Sequence, residues 1–355
     1  MDIIRIDDNE LRYNESKNTI KIWPYLDDLS QTIFPYTFKY LSNDPNMVVN
    51  LDFSNVIRIN SSVAAITLKK LVSLVFSDKT KRLFKIIMPE NENIACFLQN
   101  SGFLKILDDY YCFDNYSGDL FDTKVVVRKD TSIVYEKICG IKQTSFPIFH
   151  LRYNENDERK SVNEFAEWLD DNVLPILSKY NVRIDLLFSV LMELAKNSQD
   201  HTNNDAFFGV DIMENQKDKV GEFVFSCADL GVGISQNVRR YLKEYPQKDL
   251  RADIWRHGSL TDMYKWAFTV GNTTSKKYSN KGIGMTMIID GANNLNMDLS
   301  YFDAYSMMQI PKSTEKALKQ NEQTNWNPLS HAMLRRKAWN TDNKVGFYYF
   351  GKLKF

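Results

Sequence analysis

The chain has 355 residues, with 45 lysines and arginines against 45 aspartates and glutamates; that length holds two domains with cores of their own, and the balanced charge excludes a broad binder of polyanions, so nucleic acid is not indicated as a partner. Four cysteines without CxxC spacing and four scattered histidines exclude a disulfide scaffold and offer no zinc set. No run approaches the ~20 apolar residues of a membrane span, and the acidic, alternating start MDIIRIDDNE is unlike a signal peptide, so a reducing, cytoplasmic setting without a membrane partner is expected.

The first 45 residues carry short alternating runs at 3–6 and 19–22 and a helical pattern over 29–41. From there a buried strand is predicted over 47–53 and a helix over 61–76 with Ala64, Leu68, Leu71 and Val75 on one face. A strand over 84–88 and a short helix over 92–101 follow, with Gly102 as the helix-terminating glycine. Strand, helix, strand, helix predicts a small α/β domain. The stretch VVNLDFSNVIRINSSVAAITLKKLV, followed by FKIIMPENENIACFLQNSGFLKIL, resembles the STAS domain of anti-sigma-factor antagonists over residues 45–110. The resemblance implies a regulatory domain at 1–115 in which Ser61 or Ser62 holds the place of the family's phosphorylated serine. Asn60 stands where the family often has Asp, and Val63 replaces the usual Gly. A serine at a helix start is also a good N-cap, and both readings stay open.

Residues 116–160 form a connection, with strand-like runs at 124–127 and 148–151 and the polar loop 154–160. A helix is predicted over 161–177, broken at Pro175. The next helix, over 184–200, sets Ile184, Leu187, Phe188, Leu191, Leu194 and Ala195 on one stripe. Glu193, Asn197 and His201 fall at steps of four on a second, polar stripe, with Asp200 beside them. Such a stripe is ordinarily a solvated face, but a carboxylate and a carboxamide one turn apart also suit a magnesium nucleotide. The amide oxygen can fill one place in an octahedral shell, and the acid can orient or deprotonate a nucleophile.

Strands are predicted over 206–213 and 222–228 around the charged hairpin 214–221. The second strand ends on Asp229, and Gly231, Gly233 and Ile234 lead into a helix over 235–244. A strand-end carboxylate can accept from an exocyclic amine, and the glycines let the backbone approach a flat ring. After an insert at 248–259 and a helix over 260–269 comes the polar, basic run NTTSKKYSNKGIGM, with Thr273, Thr274, Lys276, Lys277 and Lys281. Gly282, Ile283, Gly284 and Met285 open a helix over 285–292, whose free N–H groups form a phosphate cradle. Strands over 297–302 and 347–355 flank a polar insert at 303–344 holding the basic cluster Arg335 to Lys337.

ELAKNSQDH, ADLGVGI and KGIGM, in this order, resemble the N box and the two glycine boxes of the GHKL superfamily of ATP-binding domains, the Bergerat fold. The resemblance covers 163–355. It implies an α/β sandwich at 161–355, with helices on one face of a mixed, mostly antiparallel sheet and an ATP lid at 269–284. It further implies Glu193 as catalytic base, Asn197 as ligand of Mg2+, Asp229 as adenine selector, and Gly231, Gly233, Gly282 and Gly284 as backbone contacts of ATP. Asp200, His201, Ile234, Thr273, Thr274, Lys281, Ile283 and Met285 complete the expected nucleotide site. The family closes its sheet with a Gly-Thr pair, and the equivalent here is Gly346 and Phe347. No helical hairpin bearing a phosphoacceptor histidine precedes the domain, which sets the histidine-kinase reading aside. Three functions remain: an ATPase acting as a conformational switch on a protein partner or a second copy of itself, a serine kinase acting on a STAS partner, and a nucleotide-gated module without turnover.

Overall fold

The computed structural model describes residues 13–14, 19–22, 25–26, 48–77, 83–110, 112–113, 133–136, 141–156, 159–215, 220–246, 258, 260–269, 271–274, 283–302, 306–310, 333–336 and 347–355. The runs expected to be regular at 3–6, 29–41 and 124–127 lie outside them.

The first unit runs β1 (Tyr13–Asn14), β2 (Thr19–Lys21), β3 (Tyr25–Leu26), β4 (Val49–Asp52), β5 (Arg58–Ile59), α1 (Ser61–Ser77), β6 (Leu83–Ile87), α2 (Glu92–Asn100), α3 (Phe103–Tyr110) and β7 (Cys112–Phe113). Strands β2, β4, β6 and β7 pair in parallel, with β1 antiparallel at one edge. Asn91 caps α2 by accepting from the Asn93 N–H at 3.0 Å, and Gly102 ends that helix with φ +79°.

The remainder runs β8 (Ile133–Glu136), β9 (Ile141–Ser145), β10 (Phe149–Leu151), α4 (Lys160–Trp168), α5 (Leu174–Leu177), α6 (Ile184–Thr202), β11 (Ala206–Asn215), β12 (Val220–Asp229), α7 (Ile234–Glu244), α8 (Leu260–Ala267), α9 (Gly284–Asn294), β13 (Asp298–Phe302), β14 (Ser306–Ile310), β15 (Met333–Arg336) and β16 (Phe347–Lys354). Strands β8 to β16 form one antiparallel sheet in the order β15-β14-β13-β16-β12-β11-β9-β8, with β10 also on β11. The chain is therefore a mixed α/β protein. Residues expected as a connection supply β8, β9 and β10, and parts of the 303–344 insert extend the other edge as β14 and β15.

Helices α6 and α9 cover one face of the large sheet, where Phe208, Val210, Ile212, Phe223, Phe225 and Cys227 join their core. Helix α1 covers the other face, where Phe207, Val224 and Ala228 share the first unit's core. Strands covered on both sides carry continuous apolar runs, which is why AFFGV and FVFSCA do not alternate. The same geometry corrects the single apolar face expected for α1. Val63, Ala64, Ala65, Ile66, Leu68, Leu71 and Val72 are all fully buried, because the helix is covered on every side.

The start of α1 is seated by the large sheet. Buried Asp211 accepts from the Ser61 N–H at 2.9 Å and the Ser62 N–H at 2.8 Å, and also from the Ser62 and Ser145 hydroxyls. The Ser61 hydroxyl donates to the Phe146 carbonyl. A Cβ at Gly209 would stand 2.0 Å from the Ser61 carbonyl oxygen, so only glycine admits this approach. Near the end of α3, the Tyr110 hydroxyl donates to Asp205, and His150 Nε2 stands 2.9 Å from the same carboxylate oxygen. Burial alone would raise the Asp205 pKa, but hydrogen bonds from His150, Tyr110 and the Tyr153 N–H outweigh it and hold the carboxyl below its ordinary value.

Pro175 does not break its helix. The ladder widens to a π turn at Leu169–Val173, and Pro175 falls in the first turn of α5, where a missing N–H leaves nothing unsatisfied.

Candidate functional site

Helix α6 carries the polar stripe to the cleft because its opposite side, Leu187, Val190, Leu191, Leu194 and Ala195, is buried in the core. Glu193 and Asn197 then meet the first residue of α9. A Cβ at Gly284 would stand 3.0 Å from Glu193 Oε2 and 3.2 Å from Asn197 Oδ1. Glycine there keeps two acceptor groups beside the N-terminus of an eleven-residue helix, the end that favours anions. The other carboxylate oxygen, Glu193 Oε1, accepts from Lys196 Nζ at 2.7 Å.

The second motif ends β12. Asp229 is fully buried; its Oδ1 accepts from the Gly231 N–H at 2.7 Å, while Oδ2 has no hydrogen-bond partner. Burial pushes this carboxyl well above its ordinary range, opposed by the Gly231 N–H and the positive charge of Lys69 in α1. A Cβ at Gly231 would press on Thr202 and on Asp229 itself. Gly233, at φ +86°, turns the chain into α7, and the Ile234 N–H donates to the Tyr301 hydroxyl at 2.9 Å.

Between these elements opens a small cleft of about 60 Å³, so a ligand the size of a nucleotide requires it to widen. Asn197, His201, Ile234, Thr273, Thr274, Gly284 and Met285 line it. Thr274 Oγ1 lies 2.9 Å from His201 Nδ1, joining the segment after α8 to the end of α6. Glu193, Asp229, Gly231, Gly233 and Ile283 do not line the cleft, although Glu193 meets the lining residue Gly284. Asp200 turns aside to Arg159 at 3.3 Å. Lys276, Lys277, Lys281 and Gly282 lie outside the described residues.

Trp266 and Tyr349 also line the cleft and were not singled out in the sequence. Nothing local marks them, since α8 and β16 reach the site only through the tertiary fold. Burial raises the Tyr349 phenol well above its usual pKa, with the charges of Cys227 and Asp229 adding to it. Lys196 sits inside the first motif, and its three-residue spacing from Glu193 is a signal for a pair.

Comparison of the chain with protein-family models, with curated proteins and with solved structures finds no match. The chemistry therefore stands on the residues themselves. They offer a carboxylate able to activate a hydroxyl, an amide oxygen beside it, a helix start suited to an anion, and a buried acceptor lacking a donor. Among the described residues no group of three His, Cys, Asp or Glu side chains assembles to hold a metal by protein ligands alone, and no helix is long and apolar enough to cross a membrane.

Proposed function

We propose that the chain is a GHKL-type ATPase whose first, STAS-like unit reads the nucleotide state of the second. The observation that carries this reading is the meeting of Glu193 and Asn197 from α6 with Gly284 at the start of α9, three residues from motifs far apart in sequence. The unpartnered Asp229 Oδ2 suits the exocyclic amine of adenine, a donor that a buried carboxylate lacks. The wall above Asp229 has to open for that contact, because the carboxylate is fully covered. Helices α6 and α9 on one face of an antiparallel sheet are in keeping with the GHKL reading, although α1 of the first unit covers the sheet's other face, and the parallel β2-β4-β6-β7 arrangement is in keeping with the STAS-like one.

In the reaction Glu193 Oε2 takes a proton from the attacking water. The water oxygen bonds to the γ-phosphorus as the bond from phosphorus to the β,γ-bridging oxygen breaks, and ADP leaves with that electron pair. The start of α9 receives the phosphate charge. Asn197 would be the protein ligand of magnesium, which supplies charge neutralisation at the phosphates and needs few protein ligands when it arrives with nucleotide.

The kinase alternative finds no support within one chain. Ser61 and Ser62 are fully buried, their hydroxyls bonded to Phe146 and Asp211, on the sheet face opposite α6. The discriminating experiment gives the full-length protein γ-labelled ATP with magnesium. Free labelled phosphate is expected, and Glu193→Ala should lower its release by roughly 10²-fold or more while keeping nucleotide bound. Label on protein would mean a kinase, tight binding with neither would mean a gated module, and equal loss of binding and turnover in the variant would mean that Glu193 is structural.

A further inference from the structure

We propose that Lys196 is a positioning residue for the base Glu193, a role that rests on the ATPase reading above. The two lie one helical turn apart on α6, with Lys196 Nζ donating to Glu193 Oε1 at 2.7 Å. The lysine side chain is 41% exposed and the glutamate 16%, so the acid is the sheltered member and its cation the outer one. A glutamate carries three rotatable bonds, and its two oxygens are equivalent until something distinguishes them. Lys196 makes that distinction. It engages Oε1, and Oε2 is the oxygen left facing Gly284 beside Asn197 Oδ1.

This is the arrangement of a base oriented by a third group, which general-base catalysis requires once the nucleophile is a water that must be aimed. Lys196, like Glu193, does not line the cleft, and its donation to Oε1 places its effect on the geometry of Glu193. An ordinary surface pair at this spacing would support the helix alone, and the two roles separate in kinetics.

The test uses the full-length chain with Lys196→Met, which keeps the aliphatic stem, and Lys196→Arg, which keeps a cationic donor. Three quantities are measured: steady-state phosphate release from magnesium ATP, affinity for the non-hydrolysable β,γ-imido analogue of ATP, and thermal midpoint. Lys196→Met should lose roughly 10- to 100-fold in kcat, the scale of a misplaced catalytic group, with affinity within about twofold and an unchanged midpoint for a change outside the ligand envelope. Lys196→Arg should restore most of the rate. Wild-type kcat in Lys196→Met, with Glu193→Ala inactive, overturns this role and leaves the ATPase reading standing. Parallel loss of kcat and affinity overturns it in favour of a phosphate contact, and loss of thermal stability in favour of a helix-stabilising pair. A wild-type protein that binds the analogue yet releases no phosphate overturns both the ATPase reading and this role.

Discussion

Asp229 holds one carboxylate oxygen satisfied and one bare, in a place with no water-exposed surface. A buried acceptor without a donor destabilises by about 1–3 kcal/mol, and the same burial raises its pKa. Two opposite pH trends follow. Because the folded-state pKa lies above the unfolded one, the group's contribution to stability is present below its ordinary carboxylate value and is lost as pH rises through the folded value. Nucleotide affinity should move the other way, since the ionised carboxylate accepts from an amine more strongly than the neutral acid does. Asp229→Asn should therefore weaken adenine nucleotide binding by about 1–3 kcal/mol and flatten its pH dependence, measured by calorimetric titration across the acidic range. Unchanged affinity and an unchanged pH profile would remove Asp229 from base recognition. The place of Asp229 was legible, because a strand rich in Phe and Val stops at an acid followed by glycines. Its bare oxygen was not, since that depends on what β16 and α6 bring around it. Asp200 shows the converse: it lies beside the polar stripe in sequence, and Arg159 from before α4 draws it away.

The elements that set the site are α6, α9 and the β12 end, and α1 presses on the sheet from behind them. Periodicity foretells α6, because it has a polar side to mark its phase, whereas α7 and α9 are signalled by the glycines that open them. It foretold α1 only in part, since a helix buried all round has no polar side and its second cover comes from strands about 150 residues away. Proline at 175 reads as a break in the sequence because a π turn leaves no signature in side-chain pattern. The seating of α1 has a direct test in Gly209→Ala. The added Cβ would meet the Ser61 backbone carbonyl at 2.0 Å, and backbone cannot swing aside as a side chain can. A loss of about 1–3 kcal/mol or more is expected in denaturant unfolding, while an unchanged midpoint would mean that α1 does not dock on β11 as described.

Taken as one molecule, the chain joins its two units through a shared apolar core and through polar seats at both ends of the contact. Asp211 holds the start of α1, and Asp205 holds Tyr110 at the end of α3. Asp205 also accepts from the Tyr153 N–H, and its carbonyl accepts from the Leu230 N–H at 3.1 Å, next to Asp229. In the proposed switch, movement at the β12 end would reach α3 by a short route through Asp205. Everything in that reading depends on one adenine nucleotide lying between α6, the β12 end and α9. A crystal structure of the full-length protein with magnesium and the β,γ-imido analogue of ATP tests this most directly. The account predicts the adenine amine on Asp229 Oδ2, the metal on Asn197 Oδ1 and the γ-phosphate at the Gly284 end of α9. Nucleotide bound elsewhere, or a cleft left empty at saturating analogue, would contradict it.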